Sequence, residues 1–165
     1  MILIGLSTIY FTTDITLVVG NSMSPTYKNH QLIIKSKWAT DVNKILISRR
    51  SIIKFRDPEG TMVIKRVMGI PGDEIEFGGP DVMHGERMTV RINGVVIDRH
   101  NKNYYTRLQS PGESGKDYLK YVKEKTKYKL KPNQYFVMGD DPFDSIDSRT
   151  YGPIDKINIV SVIEK

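Results

Sequence analysis

The chain has 165 residues, enough for one domain with its own core and a small insert. It contains no cysteine, which excludes disulfides, thiolate zinc sites and a cysteine nucleophile together. A formal net charge of +6 favours anionic partners such as nucleic acid or an acidic lipid face, while 39% hydrophobic residues exclude a disordered chain.

In chain order, the opening segment "MILIGLSTIYF" is apolar but short of the roughly 20 residues that cross a bilayer core. It lacks a basic start and a small-x-small cleavage site, so it does not read as a secretory leader. It is an internal strand, the end of a membrane helix or a shallow anchor; continuing to Val19 adds Asp14 and several threonines, a poor span. Short β-type runs follow at Ile15–Val19, Gln31–Lys35, Ser51–Phe55, Thr61–Val67, Glu74–Phe77, Met88–Ile92, Val95–Arg99, Gln134–Met138 and Ile157–Glu164. They are rich in β-branched residues and bounded by turn signals such as "RDPEG", "GIPGDE" and "FGGPD". Asn93-Gly94 between two such runs predicts a type I′ hairpin. The best helical candidate is Asp117–Thr126, with Tyr118, Tyr121 and Val122 on one face. Alanine occurs once, which also favours strands over helices. The sequence thus predicts a mainly β fold in which residues 78–131 form an inserted subdomain. That insert ends in a lysine run, Lys116 to Lys131, either an anionic-partner patch or a solvated face; no nucleic-acid motif accompanies it, so no nucleic acid is expected.

Three stretches carry more chemistry than the rest. In "GNSMSPT", glycine ends a strand and Ser22 sits on the sharp exit, with Pro25 pushing Ser24 towards a turn. By itself this reads equally as polar filler in a turn. In "MVIKRVMGIPGDEI", alternation puts Lys65 on the face of Val63 and Val67, and turns Arg66 the other way. An ammonium among apolar residues is costly: it snorkels at an edge, or burial lowers its pKa and makes it a base. In "GDDPFDSIDSR", the carboxylates do not have calcium-loop spacing, so no metal is expected. Ser145 could instead bond an amine, and Asp147 with Arg149 could brace the loop as a charge pair.

In this order, these stretches resemble the boxes of the type I signal peptidases, serine–lysine membrane proteases that remove signal peptides. "SIIKFRDPEG" and "NQYFVMGD" resemble the segments leading into the second and third boxes. The resemblance implies a fold of antiparallel sheets, with residues 15–77 and 132–165 as the catalytic domain and residues 1–14 as the remnant of a membrane anchor. It implies Ser22 as nucleophile, Lys65 as general base, Ser145 orienting the lysine amine, and Asp147 and Arg149 supporting them. It also implies a substrate strand lined by Leu17, Val18, Val19, Gly20 and Ile64, with pockets for small residues at the first and third positions before the cut. Signal-peptide-bearing preproteins and membrane lipid are the implied partners, the inner membrane with an extracytoplasmic catalytic face the implied location, and no cofactor is implied. Gly20 stands where some members have a serine that helps bind the oxyanion. The runner-up readings are a dedicated conjugative-pilin peptidase and a self-cleaving SOS-type repressor domain. The repressor needs a DNA-binding domain and a cleavage site upstream, and only 21 residues precede Ser22, with no Ala-Gly pair in the chain.

Overall fold

A computed structural model describes residues 13–78, 89–97, 127–141 and 144–165. The expected helix at 117–126, most of the insert and most of the expected anchor segment lie outside them. Among the described residues eleven strands run in chain order: β1 Thr13–Leu17, β2 Leu32–Ser36, β3 Ile52–Arg56, β4 Met62–Gly69, β5 Glu74–Gly78, β6 Thr89–Ile92, β7 Val95–Val96, β8 Lys127–Lys129, β9 Gln134–Met138, β10 Ile154–Asp155 and β11 Ile159–Glu164. A helical turn, α1, spans Ser148–Tyr151. They form a two-stranded sheet β1-β2, a five-stranded sheet β10-β9-β4-β3-β11 and a four-stranded sheet β7-β6-β5-β8. Every ladder is antiparallel, so the mainly β, antiparallel expectation holds.

The five-stranded sheet is the frame, and strand alternation sorts its side chains between two sides. On one side Ile53, Phe55, Val67, Val137, Ile159 and Val162 form a closed core. On the other, Ile52, Ile64 and Ile163 meet Val18, Met23, Tyr27 and Ile33, which fastens the β1-β2 sheet and the Ser22 turn onto the frame. Phe136 and Met138 of β9 reach a third cluster with Ile75, Phe77, Val90, Ile92 and Leu130 of the four-stranded sheet. That sheet draws its first strand from Glu74–Gly78 and its last from the lysine run, where Lys127 pairs with Glu74.

Several elements differ from expectation for local reasons. Ile157 is exposed in a 3-10 turn, Lys156–Asn158, so β11 begins two residues later than the apolar pattern suggests. Lys127–Lys129 is a strand despite its charge because Ile75 faces Tyr128 across the ladder. α1 was not predicted; it is set by Asp147, whose side chain caps it by accepting from the Arg149 N–H. Asn93 and Gly94 both have positive φ, 53° and 79°, as a type I′ turn requires.

Candidate active site

Residues far apart in the chain meet where β9 leaves the edge of β4. The β4-β9 ladder ends at the pair of Arg66 with Met138, next in the chain to Lys65 and to Gly139 respectively. The Ser22 turn crosses this point. A Cβ on Gly139 would run into the Ser145 side chain and sit 2.5 Å from the Ser22 carbonyl oxygen, so only glycine fits. The Ser22 carbonyl accepts from the Asp141 N–H at 3.0 Å. Sequence reading passed over Gly139, although it heads the third box.

Lys65 Nζ donates to Ser22 Oγ at 2.7 Å. The lysine is 4% exposed. Burial is the main force pushing its pKa below the ordinary lysine value, with Arg149 adding to it; Asp147, Asp144 and Asp57 oppose it and lose. Among the described residues no carboxylate forms an ion pair with Lys65. The amine is therefore biased towards the neutral form, in which its lone pair can take a proton from the serine.

Ser145 has a different partner from the one expected. Its hydroxyl donates to Asp147 Oδ2 at 2.8 Å, and Lys65 donates to Ser22. Asp147 is fully buried and collects donors: Gly139 N, Ser145 Oγ, and the Arg149 main chain and guanidinium. Its pair with Arg149, 2.6 Å long and buried on both sides, ties α1 to the end of β9, as the charge-pair expectation had it. Ser145 thus belongs to the brace around Asp147.

Arg66 carries a second brace that the sequence signalled only by its opposite facing. Its guanidinium grips Asp140 through Nε (2.9 Å) and Nη2 (2.6 Å) and donates to the Arg50 carbonyl. Asp140 in turn accepts from Thr26 Oγ1 at 2.5 Å, four residues after the nucleophile position. The turn is thus fixed at Ser22 and at Thr26 by the same Asp140-Asp141 segment.

Of the expected substrate-lining residues, Val18 and Ile64 are buried together in one cluster. Leu17 and Val19 alternate to the outer face and are exposed. Gly20 is not a point of close approach: a Cβ there would meet nothing within 4 Å. It is glycine because its φ is +88°, and its N–H is occupied by Asn29 Oδ1 at 2.9 Å.

A serine hydroxyl facing a buried amine that has no acid partner is the equipment of a hydrolase working by acyl transfer with lysine as base. The chain belongs to the signal peptidase family, peptidase S26, whose family model matches residues 1–164. It is 30% identical over 147 residues to signal peptidase I V of Bacillus subtilis strain 168, spanning 88% of this chain and 80% of that protein. It is 33% identical to a signal peptidase I of Bacillus caldolyticus, over 86% of this chain and 71% of that one. A solved signal peptidase I from Enterococcus faecalis V583 is 25% identical and superposes with a TM-score of 0.47, over 72% of this chain and 97% of the other. The chain is a signal peptidase I-type hydrolase, and neither the repressor nor the pilin-specific reading gains support. No helix among the described residues is long and apolar enough to cross a membrane.

Proposed function

We propose that this signal peptidase cuts preproteins at a membrane surface with Ser22 as nucleophile and Lys65 as the single general base. The observation that carries the assignment is the 2.7 Å contact between Ser22 Oγ and a buried lysine that has no carboxylate partner among the described residues. Lys65 takes the hydroxyl proton as Ser22 attacks the scissile carbonyl, then gives it to the leaving amine. In the second half the neutral lysine activates water against the acyl-serine. The Ser22 N–H, unused by other described residues, is the oxyanion donor; the Gly20 N–H is unsuited because Asn29 holds it.

Two free edges receive the substrate. Among the described residues β1 pairs only with β2, and β9 covers β4 only from Arg66 onward, so the edge at Met62–Lys65 has no described strand on that side. An extended chain adding between them alternates its side chains, so positions one and three before the cut point to the inward side on which Val18 and Ile64 lie. The Val18 N–H and carbonyl are used by Gln31 and His30. By alternation, the main-chain groups of Leu17 and Val19 face the free edge, and these residues bind through backbone.

The outer face of the β1-β2 sheet supports the membrane location. Ile15 opposes Ile34 and Leu17 opposes Leu32, and all are exposed, with Val19 and Trp38 beside them. An apolar patch next to the nucleophile suits contact with lipid on the extracytoplasmic side, where preproteins emerge. The test is mass spectrometry of a preprotein with a small-x-small site, incubated in detergent with the protein and with Ser22→Ala. One cut after that site, absent with the variant, is expected; a cut that persists with Ser22→Ala removes Ser22 as nucleophile.

A further inference from the structure

A second buried cluster lies on the same side of the frame as Ile64 and Val18. Lys54 stands directly opposite Ile64 in the β3-β4 ladder and is 8% exposed. Its ammonium bonds Asp14 Oδ1 of β1 and, at 3.0 Å, Thr16 Oγ1. Burial alone would raise the Asp14 pKa, but the hydrogen bond and charge of Lys54 outweigh it and hold the carboxyl below its usual range. On the other side of Lys54, Ser161 of β11 is its ladder partner. The Ser161 hydroxyl is buried and close enough to Asp14 to help keep that carboxylate ionised, yet makes no hydrogen bond of normal geometry.

The catalytic machinery uses none of these four residues, and a core has no need of them. Their position gives them a use. Thr16 precedes Val18 by two residues on β1, one side-chain repeat further from Ser22 along the same inward face. A substrate strand on this edge presents its first residue before the cut at the level of Val18. Its third residue, two positions on, arrives at the level of Thr16.

We infer that Lys54, Asp14, Thr16 and Ser161 form the third-position subsite, and that it selects a short hydroxyl side chain, serine or threonine, over an aliphatic one of equal size. The inference rests on the peptidase reading above. A hydroxyl satisfies what the cluster leaves open: it accepts from the remaining Lys54 N–H or from Ser161, and donates to Asp14. An aliphatic side chain desolvates the same groups and gives nothing back. A carboxylate meets Asp14 as well as Lys54, which offsets its attraction.

The experiment is competition between preproteins identical except for serine, threonine, alanine or valine at the third position before the cut. Relative kcat/KM is read by mass spectrometry for the wild type and for the double variant Asp14→Val with Lys54→Val. Ratios from competition do not depend on how much enzyme is folded. The wild type is expected to prefer threonine over valine by about tenfold, since a site built to bond a hydroxyl rejects the analogue lacking it. The double variant is expected to lose or invert that preference while still requiring a small residue next to the cut. A wild type that takes valine as well as threonine, or a double variant with unchanged ratios, overturns the subsite and leaves the peptidase intact. No cut in any of the four substrates overturns the peptidase reading and the subsite together.

Discussion

Two lysines are buried on neighbouring strands, and they differ in what each one meets. Lys65 on β4 meets a serine hydroxyl; Lys54 on β3 meets a carboxylate. A carboxylate at hydrogen-bond distance favours the ammonium and offsets the cost of its burial. A hydroxyl stabilises the charge far less, so desolvation prevails at Lys65. Burial alone does not make a lysine a base; burial without an acid does. Arg149 sharpens the contrast, because it occupies Asp147, the buried carboxylate nearest in charge to Lys65.

Removing either half of the Ser22–Lys65 pair is expected to have the largest effect. Ser22→Ala and Lys65→Met should each cut preprotein turnover by about a thousandfold or more, with circular dichroism unchanged. Lys54→Met is expected to leave the Ser22–Lys65 distance as it is; turnover lost to the same degree would mean that the two lysines share the base role. For stability the order reverses. Asp14→Val alone strands the Lys54 charge, and urea denaturation should register a loss of about 3–5 kcal/mol, largely restored when Lys54→Val is added. If the double variant is no more stable than the single, the pair is not a closed unit.

Gly139→Ala tests whether the nucleophile is held as tightly as the geometry implies. The added methyl meets the Ser22 carbonyl and the Ser145 side chain, and displacement of about 1 Å is enough to cost about a hundredfold in kcat. A fully active Gly139→Ala would show the turn to be loose. The smallest effect is on pH dependence. As the proposed base Lys65 works unprotonated, so kcat/KM should rise with pH through the folded-state pKa and level off below the ordinary lysine value of 10.5. Stability has the matching sign. The unfolded chain holds a proton on this lysine up to 10.5 while the folded one releases it earlier, so burial of Lys65 destabilises at neutral pH and ceases to do so as pH rises through that window. Lys65→Met should therefore raise the melting temperature at pH 7, and a fall would mean that the contacts of the lysine stabilise the fold by more than its burial costs.

Much of this was legible because it is local. Strand alternation separated Lys65 from Arg66, and the Asn-Gly turn reported its hairpin. What escaped depends on residues distant in sequence. Nothing around Lys54 announces Asp14, forty residues earlier, as its partner. Nothing in the sequence named Asp147 as the acceptor of the Ser145 hydroxyl, because that pairing is set by the path of the loop, not by its composition. Gly20 and Gly139 look alike as letters; one is required by a left-handed φ and the other by crowding, a difference only the folded backbone reveals.

The clasp between Thr26 and Asp140 spans 114 residues. During synthesis the nucleophile turn is made early, yet the segment that seats it emerges only when most of the chain has been built. A nascent chain ending before residue 139 has the serine and the lysine but not the support that aligns them. On the proposed roles, proteolytic competence is expected to be deferred until the Asp140-Asp141 segment has been made, and a product terminated before it is expected to cut nothing.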